Sequence, residues 1–212
     1  MGPSRPVVTA PSILETFASA AHSFADLVGR IPADAWSGPG LGDWDLRSLV
    51  GHTSRSLTTV LTYLETPADR EDIATPQEYY ARVNPTALGL DPADVAERGR
   101  QAGRNLGEDP AAAVADLVSR ALARLETVGD PLIRVLGGLG IRLRTYLPTR
   151  TFELAVHSLD IARAVDLSFT LPGSVLEEAL VLAARMAAEQ QGETVLMALT
   201  GRDSLPPSFS IV

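Results

Sequence analysis

The chain has 212 residues, enough for one domain with a substantial core. Hydrophobic residues make up 45% and aromatics only 5%, so the interior must be filled by Leu, Val, Ile and Ala, a palette that suits packed helices. With 26 acidic against 18 basic residues the net charge is −8, which opposes a nucleic-acid backbone or an anionic membrane as partner and favours small molecules.

The first ten residues lack an apolar run of signal-peptide length and no later segment approaches a membrane span, which predicts a cytoplasmic protein. Ser12-Ile13-Leu14-Glu15 is a capping box that opens a helix over 12–29. Pro32 to Trp44 reads as a loop, after which Asp45 caps a helix over 45–65 with Leu46, Leu49, Val50, Thr53, Leu57, Val60, Leu61 and Leu64 on its inner side. Residues 66–91 are an excursion rich in Pro and Gly, with one short helix after Thr75-Pro76-Gln77-Glu78, placed to cover a pocket. Asp91-Pro92 and Asp109-Pro110 each pair an N-cap with a proline at the first helical position, predicting helices over 92–106 and 110–128.

Beyond the stretch Gly137-Gly138-Leu139-Gly140, a helix over 148–165 is expected. Ser174-Val175-Leu176-Glu177 caps a further one ending near Gln191. Thr194–Leu199 and Ser208–Val212 are candidate short strands. The fold class is therefore all-α: an up-and-down bundle of the helices at 12–29, 45–65, 110–128 and 148–165, forming one domain over 1–170. The helix and tail of 171–212 pack on its outside.

Three histidines are present, and two of them sit on these apolar helices: His52, and His157 one turn after Glu153. Residues four apart share a helix face, so Glu153 and His157 can present a carboxylate oxygen and an imidazole nitrogen to one point, where a facing helix can bring His52. Two His and one carboxylate suit a divalent transition ion, zinc above all, with a coordination position left for water or substrate. A surface ion pair is the plainer reading of Glu153 and His157 taken alone. Both helices are apolar, however, and a charge turned inward is costly unless it is paired or coordinates an ion.

Asp160 lies on the same face and either orients a ligand or contacts substrate as a catalytic group, or it pairs with Arg163. Arg150, one turn before Glu153, either receives a substrate carboxylate or belongs to a solvated basic stretch with Arg134, Arg142 and Arg144. His22, in Ala21-His22-Ser23, reads as a structural or partly exposed histidine. Trp36 and Trp44 read as staples for the first loop. The glycines at 137–140 lack the Lys and Ser/Thr of a phosphate loop. Cysteine is absent, which excludes a protein thiol nucleophile, so thiol chemistry must draw on a thiol from outside.

Trp36 and Gly40-Leu41-Gly42-Asp43-Trp44-Asp45-Leu46-Arg47-Ser48-Leu49-Val50-Gly51-His52, with Arg150-Thr151-Phe152-Glu153-Leu154-Ala155-Val156-His157-Ser158-Leu159-Asp160-Ile161, resemble the mycothiol-dependent maleylpyruvate isomerase family of the DinB-like metal-binding bundles. The ending Ala198-Leu199-Thr200-Gly201-Arg202, with Leu205-Pro206-Pro207-Ser208-Phe209-Ser210, is similar to actinobacterial members. The resemblance implies a four-helix bundle with zinc held by His52, Glu153 and His157. It also implies an external thiol, mycothiol, used for isomerisation or S-transfer on an electrophilic small molecule by a monomer or homodimer. A thiol-independent metal enzyme of specialised metabolism and a non-catalytic binding bundle are the rival expectations.

Overall fold

The computed structural model describes residues 11–84, 88–89 and 91–211. The leader reading of Met1–Ala10, Pro85 of the excursion and Val212 of the last candidate strand lie outside the described residues. Seven helices are present among those described: α1 (Ile13–Val28), α2 (Leu46–Tyr63), α3 (Pro76–Arg82), α4 (Pro92–Asn105), α5 (Pro110–Val128), α6 (Leu143–Ala164) and α7 (Gly173–Leu199). A small antiparallel pair, β1 (Leu132–Arg134) and β2 (Gly140–Arg142), precedes α6, with Ile133 opposite Ile141. The protein is thus an all-α bundle with an extra C-terminal helix and two short strands.

Both α1 and α2 pack against α5 and α6, so α1 and α2 face one another across a four-helix bundle; α4 lies on α2 and α7 on α6. Phe17, Phe24 and Leu27 of α1, Leu49 and Leu57 of α2, Val114 and Ala121 of α5, and Leu147 and Ile161 of α6 are among the core side chains. No helix among the described residues is long and apolar enough to cross a membrane.

The caps at Ser12, Asp45, Asp91 and Asp109 form as read, and Thr75 caps the short helix of the excursion in the same way, each side chain accepting a backbone N–H of its helix's first turn. Three expectations change. Helix α6 starts at Leu143 and not at Pro148, because its first turn is capped from a distance: Asp130 Oδ1 accepts the Arg144 N–H at 2.8 Å. Pro148 then lies inside the helix. The Ser174 cap does not form, as α7 begins at Gly173 behind Pro172. Thr194–Leu199 continues α7 past a break at Gln191 (φ −146°, ψ 40°), and Ser208–Ile211 form no strand. A strand needs an edge to pair with, and the only sheet among the described residues is β1–β2.

Helices α2 and α4 meet backbone to backbone. A side chain added at Gly51 would run into the Gly103 amide, and one at Gly103 would lie 2.7 Å from the Arg47 carbonyl oxygen. Gly51→Ala is therefore expected to force the helices apart and cost about 3 kcal/mol by overpacking. The check is the midpoint of urea denaturation; an unchanged midpoint would show that the contact is dispensable.

Candidate metal centre

Glu153 and His157 stand one turn apart on α6, and His157 Nε2 lies 3.3 Å from Glu153 Oε2. The bundle brings α2 alongside α6, setting the His52 ring edge-on to that of His157 with 5.0 Å between centroids. One ligand atom from each of His52, Glu153 and His157 lies within 4.8 Å of the others. That spacing and donor set fit a single divalent ion, since atoms coordinating one centre at about 2 Å stand a few ångströms apart. His22 is exposed on α1, away from the cluster.

Two neighbours fix the acidic and basic ends of the α6 pair. Asp160 Oδ2 lies 3.2 Å from His157 Nδ1, taking the part of ring-orienting partner in preference to Arg163. The Tyr80 hydroxyl lies 2.8 Å from Glu153 Oε1 and 3.0 Å from the Thr149 carbonyl. One carboxylate oxygen therefore meets a phenol and the other an imidazole.

The electrostatics follow from burial and these contacts. Burial alone would raise the Glu153 carboxyl, but the His157 hydrogen bond, the Arg150 charge and Tyr80 outweigh it and hold the group down at about 2. Burial would lower His157, yet Asp160 and Glu153 raise it to about 9. His52 is lowered to about 4 by burial and then by the charge on His157. At neutral pH the cluster is a carboxylate, an imidazolium and a neutral imidazole with a free nitrogen lone pair.

Arg150 separates from the basic stretch in which its sequence neighbours placed it. It is buried, with its guanidinium over the rings of Tyr79 and Tyr146 at 5.3 and 4.9 Å and its Nε donating to Thr149 Oγ1 at 3.0 Å. Arg134 and Arg142 instead make exposed ion pairs with Asp69 and Glu71. Arg150, His52 and Glu153 border a cavity of about 630 Å³, to which the excursion contributes Tyr79, Tyr80 and Val83.

Sequence reasoning missed these tyrosines as site residues. The signal was present in the Thr75-Pro76-Gln77-Glu78 box, which starts the short helix that delivers them. Trp44 does staple its loop, donating from Nε1 to the Ala96 carbonyl at 2.9 Å, and its ring also packs against His52 with centroids 4.5 Å apart. Trp36 packs under the Arg47 guanidinium.

Neither a curated protein nor a solved structure shows significant similarity to the chain. The family profile described as the mycothiol maleylpyruvate isomerase N-terminal domain matches residues 17–162, from the first bundle helix to the turn after His157. That span is more than half of the sequence and contains every residue of the cluster, so this chain belongs to the mycothiol maleylpyruvate isomerase N-terminal domain family.

Proposed function

We propose that the protein is a zinc-dependent enzyme that uses mycothiol to isomerise or conjugate an electrophilic small molecule, with His52, Glu153 and His157 as the metal ligands. The convergence of those three side chains beside a cavity, in a chain without cysteine, carries the reading. Zinc, when bound, supplies a Lewis acid that lowers the pKa of a ligating thiol. Addition of the thiol to a conjugated carbonyl compound followed by its elimination gives isomerisation and returns the thiol; retention gives a conjugate.

The chain's own groups prepare this chemistry. Asp160 accepts the Nδ1 proton of His157 and leaves Nε2 directed at Glu153. Tyr80 occupies one oxygen of Glu153 and leaves the other for coordination. His52 is already neutral and loses no proton on binding. Arg150 anchors an anionic group of the substrate, and the aromatic rings around it exclude water.

Protein purified without added ions and then titrated with zinc should bind one equivalent. His52→Ala and His157→Ala should lose it while retaining the helical circular-dichroism signal, because neither removes much apolar surface. Asp160→Asn should weaken zinc binding by about 10- to 100-fold, the usual cost of losing a ligand's orienting partner. Full zinc occupancy in either alanine variant would overturn the ligand assignment.

Metal loading also competes with a proton. The raised pKa of His157 stabilises the metal-free fold fully below the ordinary value of 6.5, and that contribution is lost as pH rises through about 9. At pH 7 this proton must leave for Nε2 to coordinate. Zinc affinity should therefore climb with pH and level off near 9, and calorimetry at pH 7 in buffers of different ionisation enthalpy should register proton release.

Mycothiol should then bind the zinc form and give up its own thiol proton. If it fails to bind fully metallated protein up to millimolar concentration, the thiol mechanism is rejected in favour of thiol-independent zinc catalysis. Stoichiometric metal without turnover of any electrophile would point to a binding protein.

A further inference from the structure

The cavity beside the cluster is built unevenly. All four tyrosines of the chain, Tyr63, Tyr79, Tyr80 and Tyr146, border it. The hydroxyls of Tyr80 and Tyr146 are committed elsewhere, to Glu153 with Thr149 and to Thr59 Oγ1, so these residues offer the cavity mainly their rings. The Arg150 guanidinium has no carboxylate within ion-pairing distance among the described residues. Its charge is offset by the Tyr79 and Tyr146 rings and, at longer range, by Glu153, and it borders the cavity where an anionic group can reach its guanidinium fork.

A further wall comes from the far end of the sequence. Beyond the break at Gln191 the chain turns through Ser208, whose φ is 60°, and the Phe209 amide closes a turn onto the Pro206 carbonyl. Gln190 Nε2 donates to the Ile211 carbonyl at 3.3 Å, and Ile211 packs on the core where it borders the cavity. Ile211 thereby adds to the aliphatic surface that Val83 and Leu136 already give a pocket bordered by the tyrosine rings.

We propose that this cavity takes a flat aromatic or similarly apolar acid, its carboxylate received by Arg150 and its body packed among the tyrosine rings and Ile211, and that the segment 208–211 sets which bodies are accepted. The inference rests on the reading of the cavity as the substrate pocket. A carboxylate matches the guanidinium fork, and a planar apolar body matches edge-to-face and offset ring packing against the tyrosines.

The test uses the full chain free of metal and thiol, with binding measured by calorimetry for trans-cinnamate, its neutral amide, and the aliphatic diacid fumarate. Cinnamate should bind at least about tenfold tighter than the amide, which lacks the charge for Arg150, and about tenfold tighter than fumarate, which lacks the body. Ile211→Ala should weaken cinnamate by about fivefold and leave fumarate unchanged. Equal binding of acid and amide, fumarate binding as tightly as cinnamate, no binding of any probe, or indifference of cinnamate to Ile211→Ala would each overturn the proposal. Since neither zinc nor mycothiol is present, a failed ligand assignment leaves this result intact, and failure here leaves the zinc titration standing.

Discussion

A carboxylate placed between helices has to be compensated on every side, and the compensation of Glu153 organises most of this structure. His157 meets one oxygen and Tyr80 the other, while Arg150 adds a positive charge one turn away. Tyr80 reaches that position only because the excursion is pinned from below. The amides of Asp72 and Ile73 donate to the Gly140 carbonyl, and Asp72 accepts the Gly140 amide in return. Gly140 has no room for a side chain against the Arg70 carbonyl. The small β1–β2 pair, which leads directly into the helix that carries Glu153 and His157, is thus the anchor that holds the phenol over the carboxylate.

The other half of the site depends on close approach. His52 follows Gly51, where α2 touches α4, and its ring is backed by Trp44, whose own ring lies against Gly99 of α4. Small residues on α4 let a large aromatic occupy the gap between helices, and the aromatic shields the imidazole from water. Burial of this kind disfavours the imidazolium, which keeps a nitrogen lone pair available.

What could be read from the sequence was what is encoded locally. The caps at Ser12, Asp45, Thr75, Asp91 and Asp109 are contacts between residues two or three apart, and each located its helix to within a residue or two. The pairing of Glu153 with His157 is likewise a consequence of helical repeat. The start of α6 was hidden because its cap, Asp130, lies 14 residues before Arg144. The role of Arg150 was ambiguous for a similar reason. The rings that shelter it, Tyr79 and Tyr146, come from two different helices, whereas the neighbours that made it look solvated are adjacent only along the chain. The tail was misread because β-branched and apolar residues in a short run fit a strand or a helix equally until a partner edge is known.

Tyr146, Arg150, Glu153, His157 and Asp160 all lie on α6, separated by four, three, four and three residues. That alternation averages 3.5 residues per turn against the helix's 3.6, so these five side chains stay on one face over about 21 Å with little drift. Insertion or deletion of a single residue anywhere in this run would swing everything beyond it by about 100° and divide the set between opposite faces. The stretch from Tyr146 to Asp160 therefore acts in this chain as a ruler whose count of residues matters as much as their identity.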